Sequence, residues 1–170
     1  MLLCFSLASR AQDAPKVEGF AGFSAMAVAA EGEGEHAFGW QGSVAGNFHP
    51  NIGIVADFGG QYKSIDIEGT DISVRAHEFL FGPQFNARLE KANPFVHVLF
   101  GGANGRAAAD SESVSRTVFM MGIGGGVDVN AGDRMAIRLI QFDWLPIHTE
   151  GEWFNKIVRV SIGIVFKGGQ

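Results

Sequence analysis

Strict alternation of apolar and polar residues over long segments is the feature that most constrains this chain. The segment 51–63 has an apolar face that runs from Ile52 to Tyr62, and its opposite face carries Asp57 and Lys63. A period of two residues indicates a β-strand with one face against an apolar medium. The same pattern recurs in two further segments, 40–49 and 155–166.

The length of these segments indicates that they cross a membrane. Each has about ten to thirteen residues, whereas a soluble strand usually has about five or six and a tilted strand needs about nine to eleven to cross a bilayer. The sequence contains eight such segments, which we place at 17–28, 37–49, 51–63, 70–88, 93–104, 114–130, 133–146 and 153–167.

The connections between the segments alternate between short and long. Short turns rich in Pro, Asn, Asp and Gly lie at 49–51, 90–93 and 130–133. Longer polar links lie at 29–36, 64–71, 107–113 and 147–152. In an up-and-down barrel, alternate connections emerge on the same side, so all the long links would share one end. The sequence therefore predicts an all-β fold, an eight-stranded antiparallel up-and-down transmembrane β-barrel.

The composition agrees with one exported domain. The chain has 170 residues and a formal net charge of −5, and the sequence contains no basic cluster, which argues against nucleic-acid binding. Its apolar first residues lead to Ser9-Arg10-Ala11, which places small residues where a signal peptidase requires them. We therefore expect residues 1–11 to be the remnant of a secretory signal peptide and residues 12–170 to form the barrel domain.

Four blocks of the chain carry a family resemblance: EFLFGPQFNARLEKANPFVHVLFGG (78–102), GIGGGVDV (122–129), AIRLIQFDWLP (136–146) and RVSIGIVFKGG (159–169). They resemble the small bacterial outer-membrane β-barrel proteins, the OmpA-like and OmpX-like group of the porin family. Phe166 takes the place of the aromatic residue near the end of the last strand of such barrels. The resemblance implies residence in the bacterial outer membrane and contact with its lipids and lipopolysaccharide. It also implies binding to the barrel-assembly machinery during biogenesis and a monomeric state.

A run of glycines at alternate positions invites comparison with a dinucleotide-binding loop: Gly122, Gly124 and Gly126. That loop needs G-x-G-x-x-G between a strand and a helix, so that backbone amides meet the pyrophosphate. Here Val127 stands where the third glycine should be, and a turn follows. We instead expect the three glycines to face the lumen, where their small size leaves room for Arg138 or Arg159.

The polar side of the alternation defines a set of candidate lumen residues: Asp57, Lys63, Glu78, Gln84, Asp128, Arg138 and Arg159, with Asp143 and His97 as further candidates. An eight-stranded barrel has an interior just wide enough for side chains, and an uncompensated buried charge costs several kcal/mol. We therefore expect these groups to form a polar plug. The alternative is a narrow pore for small ions or solutes. Arg138 and Gln141 can both face inward only if a β-bulge lies between them.

Aromatic residues near the predicted strand ends are typical of the girdles that mark a membrane interface. The candidates are Trp40, Tyr62, Trp144, Trp153 and Phe166, with Phe154 beside them.

The sequence suggests a non-enzymatic protein with a structural or surface-contact role. We predict no catalytic, cofactor-binding or metal-binding residues, because no block resembles the barrel enzymes that modify lipid A. Three glutamates in 29–36 could together hold a divalent cation, although the glycines between them favour a solvated link. A soluble lipocalin-like ligand-binding barrel is a second alternative, for which Phe38-Gly39-Trp40 gives loose support.

Overall fold

The computed structural model describes residues 14–28, 35–67, 70–109 and 112–169. These residues form ten strands: β1 (Val17–Val28), β2 (Glu35–His49), β3 (Ile52–Ile67), β4 (Thr70–Asn86), β5 (Ala92–Ala109), β6 (Glu112–Asn130), β7 (Met135–Trp144), β8 (Ile147–Thr149), β9 (Glu152–Phe154) and β10 (Ile157–Gly168). No helix in these ranges could cross a bilayer. The predicted signal-peptide remnant and the glutamates at 31 and 33 lie outside the described residues.

Eight long strands close into a barrel. Neighbours in the sequence pair antiparallel from β1 to β7, after which β7 pairs with β10 and β10 pairs with β1. Closure supplies each long strand with two partners and so removes the free edges of an open sheet. The predicted eight-stranded antiparallel up-and-down barrel is confirmed.

Two predicted outer links, 64–71 and 107–113, are wrong because strands continue into them. β3 and β4 remain paired out to Ile67 and Thr70. β5 and β6 remain paired out to Ala109 and Glu112. A hairpin that projects beyond the membrane has no lipid to face. It therefore loses the apolar alternation while its backbone hydrogen bonds persist.

The predicted link 147–152 is also wrong, because it lies largely in a short hairpin made by β8 and β9. β8 pairs with β6 at Phe119 and Met120, which attaches the hairpin to the outer part of the barrel wall. The turn residues Glu150 and Gly151 have φ angles of 52° and 88°. Positive φ at both central residues is typical of the type I′ turn, one of the two common turns of two-residue hairpins.

The barrel is apolar outside and largely polar inside. Phe23 and Phe81 project from the wall and are 61% and 58% exposed, whereas Arg159 and Asp143 inside are fully buried. A lipocalin-like barrel has the reverse arrangement, with an apolar interior and a polar exterior. The lipocalin-like alternative is therefore wrong for this chain.

The predicted β-bulge between Arg138 and Gln141 is confirmed. The register of β6 against β7 shifts between Val127 and Asp128, which pair with Ile140 and Arg138. Leu139 and Ile140 are consequently both outside, 57% and 50% exposed. The additional residue shifts the alternation by one position, so that Arg138 before the bulge and Gln141 after it both point into the lumen.

Candidate functional site in the barrel lumen

A single arginine joins three strands across the lumen. Arg159 on β10 is 0% exposed. Its Nη1 donates to Oε1 of Glu78 at 2.8 Å, and its Nη2 donates to Oδ1 of Asp57 at 2.9 Å and to Oδ2 of Asp143 at 2.7 Å. These carboxylates come from β4, β3 and β7. A guanidinium has five N–H donors in a fixed plane, so it can serve several carboxylates at once.

Asp143 is the carboxylate with the most partners in this cluster. Its Oδ2 accepts from Nε and Nη2 of Arg159 and from Nε2 of Gln141, the last at 2.8 Å. Its Oδ1 lies 2.7 Å from Nε2 of His97. The sequence placed Asp143 and His97 only among the further candidates. For Asp143 the reason is the bulge in β7, which changes which alternate residues of that strand face inward.

Glycines on neighbouring strands make the space that this cluster occupies. A Cβ added to Gly124 would overlap Oδ1 of Asp143, and one added to Gly59 would lie 2.9 Å from Cδ of Glu78. The expectation that the glycine run leaves room for arginines is thus corrected. The space at Gly124 belongs to the carboxylate that receives Arg159.

The second centre of the lumen is Arg138 on β7. Its Nε and Nη2 donate to the two oxygens of Asp128 at 2.7 and 3.0 Å, which is a bidentate ion pair. Its guanidinium carbon lies 4.3 Å from the ring centroids of both Phe20 and Phe95. Two aromatic faces and one carboxylate therefore surround the charge. The ring of Phe95 also explains Gly126, because a Cβ there would lie 2.9 Å from its Cζ.

Gln141 links the two centres into one hydrogen-bonded network. Its side-chain oxygen accepts from Nη1 of Arg138 at 2.6 Å, and its nitrogen donates to Asp143. The network holds two guanidinium groups and four carboxylates, so it carries an excess of negative charge unless protons are bound. Oε2 of Glu78 and Nδ1 of His97 are buried and have no hydrogen-bond partner in the described part of the chain.

An apolar cluster occupies lumen space beside the polar network, and sequence reasoning missed it. Leu80 on β4, Leu99 on β5 and Leu145, which directly follows β7, are almost fully buried. All three meet at Gly122, where an added Cβ would lie 3.3 to 3.4 Å from each of them. Each leucine lies two residues after an inward-facing polar residue, namely Glu78, His97 or Asp143. Because side chains two residues apart in a strand point to the same side, this spacing could have predicted that the leucines face the lumen.

Lys63 and Gln84 lie away from the centre of the network. Lys63 is half-buried further out along β3 and lines a cavity of about 160 Å³ together with Met26 and Val74. Gln84 is buried near the other end, where its Nε2 donates to Oδ1 of Asn86 at 3.0 Å. The predicted lumen set is therefore spread along the barrel, with Asp57, Glu78 and Arg159 in one group and Asp128 and Arg138 in another.

A further ion pair at the end of the barrel with the short turns was not predicted. Arg88 follows β4 and donates from Nη1 and Nη2 to the carboxylate of Glu18 at 2.8 and 2.6 Å. Asn47 adds a third hydrogen bond to Glu18 at 2.7 Å. The predicted segment 70–88 included Arg88, but β4 ends at Asn86, and alternation does not predict the direction of a side chain beyond the end of its strand.

The predicted girdle residues are all exposed on the barrel wall: Trp40, Tyr62, Trp144, Trp153 and Phe166. Trp40 donates to the hydroxyl of Tyr62 at 3.3 Å, and Trp144 donates to the carbonyl of Asn155 at 2.7 Å. Trp153 stands on the β8–β9 hairpin with its ring edge against Phe119, 6.2 Å between centroids. Phe166 is near the other end, so four of the five mark the outer end of the barrel.

No group of three or more His, Cys, Asp or Glu residues in the described ranges is arranged to hold a metal ion. In the lumen, the space between the carboxylates is filled by the Arg159 guanidinium. The arrangement can neutralise and immobilise charge, and its chemistry is that of a closed salt-bridge network.

Comparisons with known proteins show the fold. No family model and no curated protein matches this chain. Among solved structures, Neisserial surface protein A is similar with a TM-score of 0.67 and 12% identity, covering 92% of this chain and 99% of that one. Ail, the attachment invasion locus protein of Yersinia pestis, is similar with a TM-score of 0.63 and 15% identity, covering 90% and 98%.

The N-terminal β-barrel domain of Pseudomonas aeruginosa OprF is also similar, with a TM-score of 0.57 and 13% identity, covering 89% of this chain and 97% of that domain. The resemblance to small outer-membrane barrels is confirmed at the level of the fold. The chain therefore has the fold and the apolar wall of a bacterial outer-membrane β-barrel.

Proposed function

We propose that this protein is a non-enzymatic barrel of the bacterial outer membrane, with a structural or surface-contact role and a lumen closed by its own side chains. The observation that carries the proposal is the complete burial of Arg159 among Asp57, Glu78 and Asp143. A charge held by three carboxylates from three other strands ties the barrel together across its interior.

The filling of the lumen supports a closed state. The void between Phe20, Arg138 and their neighbours has a volume of about 10 Å³, which is at most the size of one water molecule. A conducting path would also require Arg159 to leave its partners, and breaking a buried ion pair costs about 3–5 kcal/mol. Leu80, Leu99 and Leu145 add an apolar barrier to ions in the same lumen.

The projecting hairpins support a role in surface contact. β3–β4 extends beyond the girdle residue Tyr62, β5–β6 extends beyond Phe119 on the wall, and the β8–β9 hairpin presents Trp153 to the outside. Exposed apolar groups such as Val114 and Trp153 on paired backbone form a preorganised contact surface. We further propose that the protein is a monomer surrounded by outer-membrane lipids and lipopolysaccharide. The strand that ends near Phe166 would be the segment engaged by the barrel-assembly machinery.

Planar-bilayer recordings test the closed lumen. The purified protein should give no current steps above background at moderate voltage. Regular steps from the unaltered protein would replace this proposal by the alternative of a narrow pore for small ions. As a control, Arg159→Ala would remove the centre of the plug, and conduction by that variant alone would support the assignment of Arg159.

A further inference from the structure

A groove lies on the outer wall of the barrel where β1 and β2 pair, and its volume is about 440 Å³. Its floor consists of outward positions that carry no side chain or only a methyl group: Gly19, Ala21 and Gly42. Larger side chains form its banks: Trp40, Val44, Phe58 and Phe166. None of the described residues that line the groove is charged, so it suits an apolar occupant.

Packing within the barrel does not require the two glycines of this floor. A Cβ added to Gly19 would meet nothing within 4 Å, and one added to Gly42 would make only ordinary contacts, the nearest at 3.5 Å. By contrast, a Cβ added to Gly60 on the same wall would lie 2.6 Å from Nε1 of Trp40. A glycine inside a strand often marks a bulge or a site that a ligand approaches closely. The pairings of β1 have no register shift, so a bulge does not explain these glycines.

The groove begins near the end of the barrel with the short turns. In outer-membrane barrels these turns face the periplasm, so this part of the wall lies in the inner leaflet. Gly19 is roughly 7 Å along β1 from its first residue, Val17, and the exposed Lys16 directly precedes that strand. From Gly19 to Phe23, which stands opposite Trp40, the distance along the strand is roughly 13 Å. The groove therefore extends from near a cation at headgroup level into the apolar part of the wall.

A lipid chain fits this groove better than a second barrel does. Phe58 and Phe166 beside the floor are exposed and belong to the wall that faces the bilayer, where the surrounding medium is acyl chains and not water. The groove has nine lining residues, whereas a stable protein–protein interface uses about 20–30 residues a side. A phospholipid also has a phosphate that Lys16 would attract.

We propose that the groove holds one acyl chain of a phospholipid from the inner leaflet of the outer membrane, with the headgroup phosphate near Lys16. The proposal rests on the proposed residence in that membrane. The chain lies over Gly19 and Gly42 and ends beside Trp40. Nε1 of Trp40 donates to Tyr62, and Cζ3 on the carbon edge of its ring lies 4.0 Å from the Cβ position of Gly42. The indole ring therefore presents its apolar edge to the lipid.

Native mass spectrometry of the folded protein in detergent micelles tests the groove, with palmitoyl-oleoyl phosphatidylglycerol as the probe. The parent should retain a single phospholipid molecule. Gly19→Leu and Gly42→Leu should each weaken this binding by about tenfold, because each leucine excludes roughly two methylene groups of the acyl chain from the groove. Gly46→Leu is the matched control. It adds the same side chain to the outward face of β2, at a glycine that lies outside the groove and whose added Cβ meets nothing within 4 Å.

Quenching of Trp40 fluorescence is a second measurement, and it leaves the groove unchanged. When Trp144 and Trp153 are replaced by phenylalanine, Trp40 is the single tryptophan of the chain. Phosphatidylglycerol with brominated acyl chains should quench Trp40 and should saturate at one lipid per protein. Dihexanoyl phosphatidylglycerol, whose chains are too short to reach Trp40 from the headgroup level, should not displace it. Quenching that only follows the lipid content of the micelles, without saturation, would overturn the proposal.

The results separate the groove from the proposed function. Equal retention of phosphatidylglycerol by the parent and both groove variants would overturn the proposal, as would an equal loss in Gly46→Leu. Preferential retention of lipid A, or a dimer that the groove variants abolish, would overturn it in favour of another occupant. Migration of boiled and unboiled samples on SDS gels shows whether each variant is folded. A folded parent that retains no phospholipid leaves the proposed function standing, whereas a parent that forms no heat-modifiable barrel would remove both.

Discussion

Asp143 and Arg159 stand directly opposite each other on β7 and β10, and Asp143 also stands opposite Gly124 on β6. The glycine leaves room for the carboxylate, and the carboxylate receives the arginine at 2.7 Å. Gly124, Asp143 and Arg159 therefore form one row across β6, β7 and β10. The row explains why a glycine-rich strand belongs in this barrel.

Replacement of Arg159 should destabilise the barrel strongly. Arg159→Met leaves Asp57, Glu78 and Asp143 buried without their shared cation, and such a loss costs roughly 3–5 kcal/mol. Urea unfolding in detergent micelles, followed by tryptophan fluorescence, measures the change. Arg134→Met is the control, because Arg134 is exposed in the turn between β6 and β7. A change at Arg159 no larger than that at Arg134 would show that the network contributes nothing to stability.

Two of the three acidic partners of Arg159, Glu78 and Asp143, should respond differently to neutral replacements. Glu78 binds Arg159 through Oε1 alone, and its Oε2 has no partner in the described structure, so Glu78→Gln should cost less than about 1 kcal/mol. Asp143→Asn should cost roughly 1.5–3 kcal/mol, because both oxygens of Asp143 accept hydrogen bonds from charged or buried groups. The same unfolding assay gives both values. The reverse order would contradict the assignment of Asp143 as the principal acceptor.

A bulky side chain at Gly124 should impair assembly. Gly124→Leu places its first carbon on the carboxylate of Asp143 and on the carbonyl oxygen of Phe142. Even one added methyl should cost about 1–3 kcal/mol, because overpacking forces neighbours from their positions. Gly46→Ala is the control, since a Cβ there meets nothing within 4 Å. The yield of heat-modifiable folded protein measures the effect, and a normal yield of Gly124→Leu would rule out the packing described at this position.

The β8–β9 hairpin should loosen in acid. Arg116 on β6 donates to Glu150 in the hairpin turn, and this hydrogen bond lowers the pKa of Glu150 from its ordinary value. Because the folded pKa lies below the unfolded one, the ion pair stabilises fully above the unfolded pKa and is lost as pH falls through the folded pKa. Both side chains are exposed, so the effect is small and should weaken with salt.

Hydrogen exchange of residues 147–154 as a function of pH measures this loosening. Exchange should accelerate below the ordinary pKa range of glutamate, after correction for the intrinsic pH dependence. Glu150→Gln should remove the acceleration while leaving the barrel strands protected. An identical pH profile for the parent and the variant would exclude the ion pair as the cause.

Alternation predicted the barrel well because the bilayer imposes it. Along 51–63 the lipid selects Ile54 and Phe58 on one side and leaves Asp57 and Gln61 for the other, so strand and face follow directly. Beyond the membrane that selection ends. The outermost residues of β5 and β6, within 107–113, therefore looked like a loop, although backbone pairing continues to Ala109 and Glu112.

The sequence predicted which side chains point into the lumen, but not which of them contact each other. Parity shows that Arg159 and Glu78 point inward, but their contact depends on strand tilt and on the shift in register between strands, which local sequence does not encode. The bulge at Leu139 and Ile140 shows the limit most clearly. It could be predicted because Arg138 and Gln141 are both polar and are therefore expected to face the lumen. The sequence alone still did not establish whether Asp143 faces the lumen or the lipid. Leu80 and Leu99 were missed because leucine fits either face.

A folded barrel in the outer membrane is the central claim, and one experiment tests it directly. After outer-membrane fractionation, the protein should be found in the membrane fraction and should migrate differently on SDS gels before and after boiling, because a closed barrel resists the detergent until it is heated. Identical migration, together with recovery of the protein outside the membrane fraction, would contradict it.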